Sequence, residues 1–281
     1  MNANDRYRKL IEDVKHQKKS LNLPETNSAQ WSKVAPGYRF DPFRKSDAVL
    51  DALKDQISKN DTVLEIGGGA GRTALPLALH CESVTNIEPS SGMCSEFIEL
   101  ANSSKITNVN VDKSTWEDAI FPTCDVAVIV DVTYFISEIG SLLKKMERAA
   151  KRRVIIATWN PPPPNRNAAL FELVYEEDFK LLPSYLEILD VLLEVGIQPS
   201  VLMPDEIFQW PEKLLTTREM AVSFALDAVG APSTERMKDR IVQNFNALFS
   251  FEEGIFCPLW RPVAPAVLLT WPTEHPERAI S

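Results

Sequence analysis

From residue 62 onward, short apolar runs alternate with amphipathic segments. The runs Thr62–Ile66, Ser83–Ile87, Val109–Val111, Asp125–Val130 and Arg153–Thr158 are rich in valine and isoleucine, as buried strands are. Between them, Thr73–Leu79, Gly92–Asn102 and Glu138–Ala150 place apolar residues at helical spacing. Strands separated by helices predict βαβ units and a parallel sheet. Right-handed crossovers then bring the carboxyl ends of the strands to one rim, where ligands bind.

The flanks differ. Residues 4–20 predict a helix with Leu10, Ile11 and Val14 on one face, and Leu21–Ala35, polar with Pro24 and Asn27, predicts a loop. Asp47–Ile57 reads as a second helix. In the last third, Ala168–Tyr175 and Tyr185–Val195 read as helices, the second closed by Gly196. Ser200–Trp210 reads as a strand, and Leu214–Phe251 as helical with a break near Gly230-Ala231-Pro232. Gly254–Trp260 and Ala266–Trp271 end the pattern as strand material. A helical insertion between late strands predicts that these pair antiparallel at one sheet edge. The fold class expected is α/β, with a Rossmann-like, mostly parallel, seven-stranded sheet, helices on both faces and an antiparallel last strand. Residues 1–45 are expected to form a helical lid and 46–281 the main domain, with an insertion at about 211–251.

Composition narrows the function classes. At 281 residues and 44% hydrophobic content, the chain can bury a large core. No apolar run reaches the roughly 20 residues of a membrane span, and the charged N-terminus lacks a secretory h-region. Cys81, Cys94, Cys124 and Cys257 have no metal-ligand or CxxC spacing, so reduced thiols in a cytoplasmic protein are expected. The net charge of −9 argues against nucleic-acid binding. Residues 1–60 carry 12 Lys and Arg against 8 Asp and Glu, a balance that fits a solvated amphipathic helix.

Candidate chemistry gathers at the first strand end. Four of ten glycines, Gly67, Gly68, Gly69 and Gly71, follow the strand Thr62–Ile66 and precede a helix. Glycine is required where φ is positive or where a ligand lies against bare backbone, and the helix start adds unpaired N–H groups. Glu65, at a buried strand end, has no structural use for its charge and points to a polar or cationic ligand. Glu88, 17 residues after Gly71, ends the second strand where a ribose would bind. A nicotinamide reading can claim Gly69-Ala70-Gly71-Arg72-Thr73-Ala74 as GxGxxA. Against it, Gly67 and Gly68 intervene after the strand, and Glu65 would repel a pyrophosphate.

Val63-Leu64-Glu65-Ile66-Gly67-Gly68-Gly69-Ala70-Gly71, followed by Ile87-Glu88-Pro89-Ser90-Ser91-Gly92-Met93, resembles the class I S-adenosylmethionine-dependent methyltransferases. The resemblance implies S-adenosylmethionine as cofactor and S-adenosylhomocysteine as product. It implies cofactor contacts at Gly67, Gly68 and Gly69, with Glu65 near the ammonium, Glu88 and Pro89 at the ribose, and Met93 against the adenine. The third motif falls on Ser114-Thr115-Trp116-Glu117-Asp118, where Thr115 stands in place of the family's usual acid. Trp116 reads either as an adenine contact or as a core aromatic.

The fourth strand ends at Asp131-Val132-Thr133-Tyr134-Phe135, facing the transferred methyl group in such a fold. Asp131 reads as a cofactor or substrate ligand or general base, or else as a helix cap. Tyr134 reads as an acceptor-orienting phenol or as a packed aromatic. Thr158–Pro164 carries a proline run suited to a cleft wall. Trp31, Tyr38 and Arg39 fall in the lid, where one of them could reach the cofactor's carboxylate, and Arg72 could meet an anion. None of His16, His80 and His275 falls at the rim, so no imidazole base is expected. No metal constellation is visible. The expected activity is methyl transfer to an oxygen or nitrogen of a small-molecule acceptor. The alternatives are a nicotinamide-dependent oxidoreductase and a cofactor-binding protein without transferase activity.

Overall fold

The computed structural model describes residues 1–24, 27–45, 47–204, 214–232 and 234–273. In chain order, helices α1 (Ala3–Ser20), α2 (Ser28–Val34) and α3 (Ala48–Lys54) precede the first strand. Then come β1 (Thr62–Ile66), α4 (Ala74–Ala78), β2 (Ser83–Ile87), α5 (Ser91–Ser103), β3 (Val109–Asp112) and β4 (Cys124–Val130). These are followed by α6 (Ile139–Ala149), β5 (Ala150–Trp159), α7 (Ala168–Tyr175), α8 (Tyr185–Glu194) and β6 (Ser200–Leu202). The chain continues through α9 (Arg218–Ala228), α10 (Glu235–Gln243), α11 (Phe245–Leu248), β7 (Phe249–Glu252), β8 (Ile255–Pro258) and β9 (Ala266–Pro272).

Seven strands form one sheet in the order β3-β2-β1-β4-β5-β9-β6. The pairs β3·β2, β2·β1, β1·β4 and β4·β5 are parallel, and β9 runs antiparallel to both β5 and β6. This is the expected sheet, antiparallel strand included.

Alternate residues of each strand feed opposite layers, as the pleat requires. Leu64, Ile66, Ala127, Ile129, Val154, Ile156 and Leu269 pack on one side with α1, α6 and α8. Val63, Val84, Val126, Val128, Ile155 and Leu268 pack on the other with α3, α4 and α5. Helices therefore cover both faces, and the parallel strands read as continuous apolar runs because neither side meets water. A third cluster, from α7, α9, α10, α11 and β7, is built on Phe171, Phe245, Phe249 and Trp260 and holds the late helices together.

Several local expectations needed correction. Leu21–Ala35 is not all loop. Asn27 caps Gln30 N–H at 3.0 Å and starts α2, a short helix whose stability comes from docking on α5. Helix α1 turns a different face inward, burying Ala3, Tyr7, Ile11 and Val14 while Leu10 stays half-buried. Residues 249–251 end the helical stretch as β7, which pairs only with β8 outside the main sheet. The strand expected at Ser200–Trp210 is seen as Ser200–Leu202, and 205–210 lie outside the described residues. Among the described residues no helix is long and apolar enough to cross a membrane.

Candidate functional site

The β1 end and the turn after it are shaped by three glycines at φ +70° (Gly67), +56° (Gly69) and +90° (Gly71). Side chains are excluded at Gly68 as well. A Cβ there would stand 2.7 Å from Asn86 Oδ1 and 2.8 Å from Glu65 Oε2. At Gly69 a Cβ would meet only Met93 Sδ, at 3.7 Å, so that face of the turn is open.

Asn86 on β2 lies in register with Glu65 on β1 and is fully buried. Its Oδ1 accepts from Gly68 N–H at 3.0 Å and its Nδ2 donates to Gly69 O at 3.3 Å, so one amide holds both sides of the turn. Sequence reasoning missed this residue. The available signal was an amide one position before the end of a strand that otherwise buries valine and isoleucine.

Two acids face the same turn. Glu65 is 1% exposed, and its Oε2 has no hydrogen-bond partner among the described residues. Burial pushes its carboxyl up to about 7, Arg72 pulls it down, and Glu88 raises it further. Glu88, at the end of β2, accepts Gly69 N–H on Oε2 (3.1 Å) and Ser90 N–H on Oε1 (2.8 Å). Its carboxyl is also raised by burial, against the pull of those two N–H groups. Met93 packs with Ala35, Ala70, Trp31 and Tyr38 beside the turn, and Pro89 is exposed on the Glu88–Ser90 bend.

A second group collects where β4 ends. Asp131 has a left-handed backbone (φ +63°), a conformation asparagine and aspartate tolerate better than other side chains. The Tyr134 hydroxyl donates to Asp131 Oδ1 at 3.1 Å, the Trp159 side chain also hydrogen-bonds the carboxylate, and Arg72 stands 4.0 Å away. Burial raises the Asp131 carboxyl to about 6 despite these partners. It raises the Tyr134 phenol well above its ordinary value, helped by Asp131. Tyr7 on α1 donates to Thr133 O at 2.7 Å and so ties the N-terminal helix to this corner. Trp31 stacks edge-on against Tyr38 and Phe135 across it.

Residues Glu65, Gly67, Gly68, Gly69, Glu88, Met93, Tyr38, Asp131 and Tyr134 thus surround one turn. Thr115 and Trp116 follow β3. The Thr115 hydroxyl donates to Asp118 Oδ2 at 2.9 Å, and the Trp116 ring packs against the core with its carbonyl accepting from Lys145. Arg39 lies along α5, paired with Glu96 and Glu99 at 3.0 and 2.9 Å. His80 bonds Ile57 O, away from the rim, and His275 lies outside the described residues.

The buried, unpartnered oxygen of Glu65 and the open glycine backbone fit a ligand that brings a cationic N–H donor to a nucleoside. Glu88 keeps acceptor capacity on both oxygens beside it. The residues present therefore fit S-adenosylmethionine.

Comparisons with known proteins agree with this geometry. A model of the methyltransferase domain matches residues 64–158, the span from β1 to β5. A Haemophilus influenzae protein, itself described as uncharacterized, is 24% identical over 171 residues, which is 60% of this chain. The match spans 62% of that relative's length. Among solved structures, the YcgJ protein of Bacillus subtilis is similar with a TM-score of 0.53 and 16% identity, over 80% of this chain and 98% of that one. The [4+2]-cyclase SpnF gives 0.55 at 12% identity, over 88% and 97%. A Bacillus halodurans protein gives 0.52 at 11%, over 82% and 100%. One of these neighbours is a cyclase, so the structural likeness carries the fold alone. Residues 64–158 match the methyltransferase-domain model, and the chain shares the fold of these solved structures.

Proposed function

We propose that the chain transfers the methyl group of S-adenosylmethionine to an oxygen or nitrogen of a small-molecule acceptor. The observation that carries this reading is the buried Glu65 carboxylate, whose Oε2 has no partner among the described residues, at the edge of an open glycine turn. When bound, the cofactor would supply a methyl group activated by its bond to a sulfonium sulfur. The chain's own part is placement and alignment.

Glu65 accepts the ligand's ammonium, and Glu88, held by Gly69 and Ser90 N–H, accepts the ribose hydroxyls. Met93 walls one side of the adenine position, with Thr115 and Trp116 at its edge by resemblance. Asp131, with a carboxyl near 6, can take a proton from an acceptor at neutral pH, and Tyr134 fixes its orientation. Tyr38 and Trp31 cover this corner from the N-terminal side, which supports reading residues 1–45 as a lid. The buried, free thiols of Cys81, Cys94 and Cys124 support a reducing, cytoplasmic location. The acidic charge balance favours a small acceptor over a nucleic acid.

Isothermal titration with S-adenosylhomocysteine and with NADH tests the cofactor. Binding of the first and not the second is expected, and the reverse would overturn the reading. A screen of hydroxyl and amine acceptors with label in the transferred methyl then identifies the acceptor.

A further inference from the structure

Methyl acceptors offer oxygen or nitrogen, and the charges around Asp131 discriminate between them. Glu65, Glu88 and Asp131 are the carboxylates of this rim, and Arg72 is the guanidinium that pulls on two of them, Glu65 and Asp131. It stands 4.0 Å from Asp131. The next cation, Arg44, donates to the Arg72 carbonyl at 3.0 Å but has its own carboxylate in Asp47, at 3.4 Å. S-adenosylmethionine carries an ammonium, a sulfonium and one carboxylate, so it adds a single positive charge. With all three acids ionised, one negative charge remains unanswered. A cation on the acceptor answers it, and an anion or a neutral hydroxyl does not.

Beside Asp131, the corner is built of rings. Tyr134 donates to Asp131 Oδ1 at 3.1 Å and packs against Phe135 with ring centroids 4.6 Å apart. Phe135 meets Trp31 at 5.8 Å, and Trp31 meets Tyr38 at 5.6 Å, both edge-on. Trp159 adds a side-chain hydrogen bond to the same carboxylate. Asp131, Phe135, Trp31 and Tyr38 are half-buried, so the group keeps an edge open to solvent. Aromatic rings attract cations through their quadrupole and repel anions.

The proton chemistry agrees. Burial holds the Asp131 carboxyl at about 6. An alkylammonium lies about four units above that value and a water-like hydroxyl about ten, so Asp131 takes a proton far more readily from the first. A phenol matches the ammonium in acidity but leaves a phenolate among the same acids.

We propose that the acceptor is a primary or secondary amine on an apolar or aromatic body, held as its ammonium by Asp131 among the rings of Trp31, Tyr38, Tyr134, Phe135 and Trp159. The proposal rests on the methyl-transfer reading and narrows its acceptor to nitrogen. One ammonium proton passes to a carboxylate oxygen of Asp131, and the lone pair that held it becomes the nucleophile.

The full chain, saturated with S-adenosylhomocysteine, is titrated near neutral pH with benzylamine, benzyl alcohol and p-cresol. Benzylamine should bind at least roughly tenfold tighter than either hydroxyl probe, the worth of one cation–ring contact or partly buried ion pair. D131N should remove that preference while leaving benzyl alcohol within about twofold. If D131N does not fold, the wild type decides alone. Benzylamine should then weaken as pH falls from about 7 to about 5 and Asp131 gains a proton, and benzyl alcohol should not. A hydroxyl probe bound as tightly as the amine, no binding of the amine, or an amine preference that survives in D131N would overturn the proposal. If S-adenosylhomocysteine does not bind the wild type, the methyl-transfer reading fails instead, and the same probes titrated alone still test the Asp131 corner.

Discussion

Replacing Glu65 by glutamine isolates the energetic consequence of burying that acid. Its carboxyl has an ordinary value of 4.5 and is raised to about 7 in the fold, so the folded state holds a proton that the unfolded chain has released between those limits. Stability is therefore unaffected below about pH 4.5, falls as pH rises through the interval, and is flat above about pH 7. A shift of about 2.5 units at 1.36 kcal/mol each makes the loss about 3 kcal/mol. Asp131, raised from 3.8 to about 6, acts in the same direction but completes its loss one unit lower. In E65Q the Asp131 component remains and the Glu65 component vanishes. Urea unfolding of both proteins without ligand, at intervals from pH 4 to pH 8, reads the difference. The wild type should lose about 3 kcal/mol more than E65Q across that range, whatever constant offset the amide introduces. Parallel stability curves would show that burial does not raise the Glu65 carboxyl, and its description as a buried acid left without a partner would fail.

Three further substitutions probe the same corner. E88A should weaken S-adenosylhomocysteine binding by at least roughly tenfold in titration calorimetry, whereas E82A, at an exposed acid, should not, and equal effects would remove Glu88 from the ribose. G68A forces a Cβ to within 2.7 Å of Asn86 Oδ1 and should lower stability by about 1–3 kcal/mol in urea unfolding; a neutral result would mean the Asn86 clamp yields easily. If Asp131 accepts the acceptor's proton, kcat rises with pH through about 6 and D131N both lowers kcat and abolishes that rise, its left-handed backbone being one asparagine tolerates. A D131N profile with the same inflection would move the base elsewhere.

Much of this was legible in the chain because the signals were local. Strands β1, β2, β4 and β5 are apolar runs bounded by turn residues, and the glycines announce positive φ wherever they follow a strand. Glu65 and Glu88 stood out because a charge at a buried strand end contradicts its surroundings. What escaped notice depended on pairing across the sheet. Asn86 matters only because parallel register sets it against Glu65, and no spacing in one strand reveals its neighbour. Arg44 and Arg72 lie 28 residues apart and meet only after α3 and α4 have docked. The short α2 was missed because its stability comes from α5 more than from its own sequence. Gly92 shows this dependence, since a Cβ there would stand 2.6 Å from the Ser32 carbonyl.

The strand order carries a consequence for how such a protein can change. β1 lies between β2 and β4, so the glycine turn separates Glu88 on one flank from Asp131 on the other. What is assigned to the nucleoside hangs from β1, β2 and β3, while Asp131, Tyr134 and Trp159 hang from β4 and β5, next to the loop that leads into the late helices. The two halves share a boundary, crossed by Arg72, which stands 4.0 Å from Asp131 and within the field of Glu65. If the segment from Trp159 through α7 lines the acceptor, substitutions there can reshape what is received while the strands that hold the donor stay in place.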